Sequence, residues 1–372
     1  MNRLFRALAE ERECYLLGLV RVAFGAMLLR HVARLCDEYL HGGYFGDHLH
    51  IPVLPWLPLP SAAVYAAWLA LQVAAACCIV LGVQVRAALG FVSLSGLYLL
   101  ACDRLQYHNN RYALLLLAFL LAFTPCDRSF LAVGRGRARP RIGPVWAQRL
   151  MQLQVSLIYL ASSGGKLLDA DWRGGQVMVL RGAQALEIAA RAGFQVPHAA
   201  AALLTSPLVM SLASKLAIAS EMFLALGLWH PRARPLALWI GVMFHLGIEI
   251  SARVELFSYL MWTSYVLFVT PECRERTLLY RPDSGSGRRI ASLVRTLDWF
   301  ARFRIEAFER APEGGSALCV IDRGGRASTG LRAFAEVTRA LPLLFPLWLP
   351  LRALSALSLP RAPRAGAAAA GA

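Results

Sequence analysis

The sequence predicts a mainly α fold: a polytopic helical membrane bundle of about eight spans followed by a small α/β domain. Three observations predict it. Hydrophobic residues make up 57% of the chain and mean hydropathy is +0.49, too apolar for an ordinary soluble domain. The apolar residues are grouped in long runs, and in lipid such runs must be helices because the backbone has to satisfy itself. After Pro271 the runs give way to short apolar stretches separated by turns.

Taken in order, residues 1–14 form a short charged amphipathic lead-in with no small-residue cleavage site after it, so no signal peptide is read there. The spans of the membrane domain, 15–272, are expected at roughly Tyr15–Leu35, Ala62–Val85, Ala87–Ala101, Tyr112–Thr124, Gln152–Leu167, Leu208–Trp229, Leu236–Ile250 and Phe257–Val269. Residues 273–360 read as strands and helices of a compact α/β domain: SALCVIDRGGRASTG as strand, Gly-Gly turn and strand, LRAFAEVTRALP as a helix ended by proline. The Ala-rich tail, 361–372, reads as disordered. The cysteines show no metal or redox spacing and read as free buried thiols.

The net charge of +16 raises nucleic acid as a partner, but its distribution points to membrane orientation instead. Arg128, Arg135, Arg137, Arg139, Arg141 and Arg149 crowd one loop, and Arg232 and Arg234 fill a short turn, whereas 36–61 holds neither Lys nor Arg. The positive-inside rule places both termini and the Arg-rich segments in the cytoplasm, and His48, His108 and the DADW stretch outside. Membrane lipids are the expected partners.

Only two lysines stand in the chain, and one, Lys166, lies where YLASSGGKLLDADWRGGQVM leaves an apolar run at Gly164 and Gly165. This stretch carries a resemblance. With LVRVAFGAMLL, YHNNRYALLLLAFLLAF and FHLGIEISARVELFSYLM, in that order, it resembles the HTTM family, which includes the vitamin K-dependent gamma-glutamyl carboxylases and their bacterial relatives. The resemblance implies a bacterial cytoplasmic membrane, a reduced quinone as cofactor, and a lysine that deprotonates it. That lysine's position falls on Leu167, with Lys166 one residue before it, and the family's histidine falls on Asn110. Leucine cannot exchange protons and asparagine is no general base. Lys166 would replace the missing base only if the helix has ended at the two glycines.

Other polar residues have structural and functional readings side by side. Asp169 and Asp171 read as a helix cap or turn before an acid/base pair. Trp172 reads as an interfacial anchor. Lys215 and Glu221, six residues apart, should lie on different faces of one span, with Lys215 snorkelling and Glu221 the better functional candidate. His245 is either a proton-handling group or a neutral imidazole bonded to a neighbouring helix. Arg21 is expected to snorkel or meet an inner acid. Asp47, His48 and His50 form a short Asp-His-x-His motif, more a chance match than a metal site.

The C-terminal stretch LLYRPDSGSGRRIASLVRTLDWFARFRIEAF resembles the Asp-Cys-Cys family of thiol-disulfide oxidoreductases, which implies a thioredoxin-like domain. The two cysteine positions fall on Ser284 and Gly287, so the resemblance implies no dithiol chemistry. What remains is a helix start with Arg288 and Arg289, read as a solvated turn before an anion site.

The leading expectation is a non-catalytic membrane binding or scaffold protein, for a quinone or other lipid. The rival is a membrane enzyme using Lys166, Glu221 or His245 on a quinone or protein substrate. Transport is a third class, without an internal repeat to favour it. A single cavity lined by Lys166, Asn110, Glu221 and His245 would favour the enzyme or a ligand.

Overall fold

The computed structural model describes residues 9–42, 50–129, 142–252, 255–269, 276–307 and 318–357. They fall into two compact units, 1–271 and 272–372.

The first unit is helical. Its long helices are α1 (Tyr15–Leu40), α2 (Ala62–Leu81), α3 (Val85–Cys102), α4 (Asn109–Ala122) and α5 (Trp146–Leu168). After a single turn, α6 (Ala170–Gly174), come α7 (Gln176–Arg191), α8 (His198–Thr205), α9 (Pro207–Gly227), α10 (Arg234–Ala252) and α11 (Glu255–Tyr265). Each of the eight apolar segments in the sequence falls on one of these helices. Among the described residues, four helices, α1, α2, α3 and α9, are long and apolar enough to cross a membrane. The expected lead-in differs from the structure in one respect: β1 (Glu11–Glu13) pairs antiparallel with β2 (Ile142–Pro144), which ties the chain start to the entry of α5. The helices α7 and α8 were not foreseen.

One apolar core, including Phe24, Ile79, Leu114, Tyr159, Leu224 and Leu260, joins α1–α5 to α9–α11. A buried cation sits in it. Arg21 does not snorkel. It is fully buried and donates to the carbonyls of Ile79, Val80 (2.7 Å), Cys126 (3.1 Å) and Ser129 (3.1 Å). Ile79 and Val80 lie in the last turn of α2, and Cys126 and Ser129 stand at the two ends of the 3-10 turn that follows α4, so a guanidinium with five donors ties the end of α2 to that turn. Gly175 joins α6 to α7 with φ +86°, and a Cβ there would strike the Ser211 backbone, so glycine serves both the turn and the approach of α9.

The second unit has a four-stranded sheet in the order β4-β3-β5-β6, built from β3 (Arg276–Tyr280), β4 (Phe303–Ala307), β5 (Leu318–Ile321) and β6 (Ala327–Thr329). β3 and β4 are parallel and joined through α12 (Gly285–Leu297); β5 runs antiparallel to β3 and β6 antiparallel to β5. α13 (Gly330–Ala340) packs on this sheet, followed by a 3-10 turn and α14 (Trp348–Leu357). Leu278, Val294, Phe303, Val320, Val337 and Leu341 form its separate core. Asp298 ends α12 by accepting from the Arg302 and Phe303 amides, each at 2.8 Å, and burial still pushes its carboxyl above the usual range. The expected tail, 361–372, and the motif residues Asp47 and His48 lie outside the described residues, as do Arg135, Arg137, Arg139 and Arg141.

Candidate functional site

The site is built on one face of α5. Gln152, Ser156, Tyr159, Ser163 and Lys166 recur at helical spacing, and the first four are buried. A polar stripe on a buried face needs partners from other helices, and each neighbour supplies them. Gln152 donates to the Leu267 carbonyl at 2.7 Å, and Ser156 accepts from the Trp229 indole at 2.7 Å.

At the far end of the stripe Lys166 meets Glu221 of α9. The ammonium donates to both carboxylate oxygens, each at 2.6 Å, and to Ser162 Oγ at 2.7 Å. Ser162 in turn donates to Glu221 Oε1 at 3.1 Å, and the Trp172 ring lies 4.9 Å from the ammonium. Glu221 is 4% exposed. The condition for Lys166 to take over as the base, a helix ended at Gly164–Gly165, is not met. The helix runs on to Leu168, and Lys166 reaches the bundle interior because it shares the stripe with Tyr159 and Ser163. Trp172 is more than an anchor, since its ring faces the ammonium and its carbonyl accepts from Ser214.

Two turns back along α5 from Lys166, the Tyr159 hydroxyl bonds to His245 Nε2 of α10 at 2.7 Å and to the Tyr265 hydroxyl of α11. His245 is fully buried among Phe244, Phe257 and the two tyrosines. Its Nδ1 is buried without a hydrogen-bond partner, as is Glu249 Oε2 one turn further along α10. The two groups of polar residues are set along one face of α5, Tyr159 two turns before Lys166.

The other candidates fall elsewhere. Asn110 lies in the first turn of α4, its amide donating to His108 Nδ1 at 3.2 Å, and among the described residues no hydrogen bond or ion pair joins it to the cluster. Leu167 is 48% exposed. Asp169 caps α6, accepting from the Asp171 and Trp172 amides at 2.8 and 3.2 Å, and Asp171 is exposed. Lys215 is exposed on the other face of α9 from Glu221. His50 bonds to Asp103 at 3.1 Å, and among the described residues no group of three His, Cys, Asp or Glu could hold a metal. Cys77 is exposed, against the expectation of uniformly buried thiols. In the second unit, Ser284 caps α12 by accepting from the Gly287 amide at 3.2 Å, so the position aligned with a nucleophile does a cap's work. Cys319 is buried in β5, which pushes its thiol up and keeps it from acting as a thiolate.

Sequence reasoning named Lys166, Glu221 and His245 but missed Tyr159, Ser162, Tyr265 and Glu249. The signal was present in the period of QLQVSLIYLASSGGK, whose polar residues fall on one helical face. The residues do not fit a base for a bound hydroquinone. That role needs a lysine nitrogen with a free lone pair, and here three donor contacts engage all three N–H groups of an ammonium. The comparisons agree with the resemblance of the membrane part: the HTTM domain matches residues 10–273. No solved structure matches the chain.

Proposed function

The chain belongs to the HTTM domain family, and from that membership we propose that it is an integral membrane binding protein, for a quinone or another lipid, that does not carboxylate glutamate. The family match and the apolar helices support the membrane location. One observation carries the rest: the lysine beside the family's base position is held in a closed ion pair, bonded to both oxygens of Glu221 and to Ser162. A cation held this way serves to orient helices. The remaining apolar helices complete a bundle of about eight spans with both termini in the cytoplasm. The second unit is a thioredoxin-like frame without its thiols; the parallel β3–α12–β4 unit, the antiparallel β5–β6 pair and the capping Ser284 support that reading.

The test uses full-length protein in lipid, with reduced vitamin K, carbon dioxide, oxygen and a glutamate-containing peptide. Neither carboxyglutamate nor epoxide should form above a no-protein control. Product that disappears in Lys166→Ala would show that Lys166 serves as the base and would overturn the proposal. A second reading, a membrane enzyme of the same class, draws on the unpartnered His245 Nδ1. It requires that His245→Gln abolish a turnover that Lys166→Ala spares.

A further inference from the structure

The bundle holds a second polar feature, apart from the Lys166 cluster. A cavity of about 60 Å³ lies among α1, α2, α3 and α4. Its position along the helices follows from which residues pair. α1 and α2 run antiparallel, with Gly25 against Val80 at one level and the Tyr39 and Tyr65 rings 5.6 Å apart at the other. Glu38, Tyr65 and Arg111 therefore line one end of the cavity, Gln72 stands level with Val32 roughly 10 Å further along the helices beside Val92, and Leu28 lies beyond. Between the two levels the walls are mostly apolar, with Leu35, Leu114 and the Trp68 ring, and His31 of α1 is the polar exception.

Gln72 is the informative residue. It is 2% exposed and lines the cavity. Ser95 fixes its amide. The Ser95 hydroxyl donates its one proton to the Phe91 carbonyl at 2.6 Å and accepts from the Trp68 indole at 2.9 Å. Its remaining contact, to Gln72 at 3.0 Å, can then only be accepted, so the amide nitrogen faces Ser95. Gln72 Oε1 is left buried with no partner. A buried acceptor without a donor costs about 1–3 kcal/mol, so the position favours whatever brings an O–H or N–H to it.

We propose that this cavity binds a membrane-soluble alcohol, with its hydroxyl innermost and donating to Gln72 Oε1. The volume is enough for a hydroxyl and the first carbons of a chain, or for a few waters, and is too small for a fused ring pair. The chain runs along the apolar walls toward the end marked by Glu38 and Arg111. This inference deepens the reading of the bundle as a binding protein by naming a ligand class and a place. It fails separately from that reading: a chain that carboxylated the peptide yet held the alcohol would keep this site.

The experiment uses the full chain in phosphatidylcholine nanodiscs and an octan-1-ol carrying a diazirine at mid-chain. Illumination, proteolysis and mass spectrometry map the label. Label should fall on peptides of α1–α4 and drop at least tenfold with excess octan-1-ol, but not with methyl octyl ether, which lacks the donor. Dioctanoylglycerol distinguishes the source: competition by it assigns the site to lipid alcohols, and competition by octan-1-ol alone to free short-chain alcohols. Gln72→Leu should cut the competable label at least fivefold while unfolding at or above the native temperature. Displacement by the ether as effective as by the alcohol, label that persists in Gln72→Leu, or label confined to other helices overturns the proposal. Should Gln72→Leu fail to fold, the alcohol-against-ether comparison on the native chain decides alone.

Discussion

Each N–H of Lys166 has an acceptor, and both oxygens of Glu221 have a donor. Their side chains are 16% and 5% exposed, so neither charge has much water to fall back on. Removing one partner should therefore cost far more than removing both. We expect Glu221→Gln to lower stability by about 3 kcal/mol or more, and Lys166→Met with Glu221→Leu to return to within about 1–2 kcal/mol of the native chain. Unfolding in detergent followed by circular dichroism, run as a double-mutant cycle, measures the coupling. A coupling near zero would mean that water reaches the pair. Both residues were legible in the sequence because a charge inside an apolar run is conspicuous. Their pairing was not, since the partners are 55 residues apart and the period of one helix says nothing of its neighbour. The snorkelling alternative for Arg21 failed for the same reason: it donates to backbone carbonyls of distant segments, which leave no mark in sequence.

At the level of elements, the long apolar helices were legible because burial in lipid requires unbroken apolar runs. α7 and α8 were not: QVMVLRGAQALEIAAR mixes charge and apolar residues in a segment too polar for a span, and HAAAALLT is apolar but only eight residues long. The glycines show the limit most directly. A helix end at Gly164 and Gly165 was only the condition for Lys166 to act as a base, and both lie within α5 with open space around them. Gly182 drew no attention, yet a Cβ there would lie on the Leu204 carbonyl oxygen of α8, a backbone atom that cannot swing aside. The same substitution should then have opposite signs at the two places. Gly164→Ala is expected to stabilise by about 0.5–1 kcal/mol, through the lower helix cost of alanine. Gly182→Ala should destabilise by about 1–3 kcal/mol through overpacking at the α7–α8 contact. Thermal unfolding of the two variants in the same detergent checks both, and equal shifts would refute the packing argument.

Across the whole first unit, the fold gathers charge that the sequence scatters. Arg12 precedes α1, Arg149 opens α5 and Arg234 opens α10, yet the three are close enough to act on one another electrostatically. The β1–β2 pairing holds Arg12 beside the entry of α5. Lys166, Asp169 and Trp172 lie at the opposite end of α5, whose 23 residues span roughly 35 Å, about the thickness of a bilayer core. A cluster of arginines at one end of a bundle is the three-dimensional form of the positive-inside rule, and it argues for that end facing the cytoplasm. The orientation follows: Arg232, in the turn before α10, should be cytoplasmic, and Asp171, exposed on α6, should face the other side. Single cysteines at these two positions, in a chain whose native cysteines are replaced by serine, can be labelled in intact cells with an impermeant maleimide. We expect Asp171→Cys to react from outside and Arg232→Cys to react only after the membrane is opened. The reverse pattern would invert the protein in the membrane. It would also place the Lys166–Glu221 pair on the cytoplasmic side, where the arginines were expected to gather.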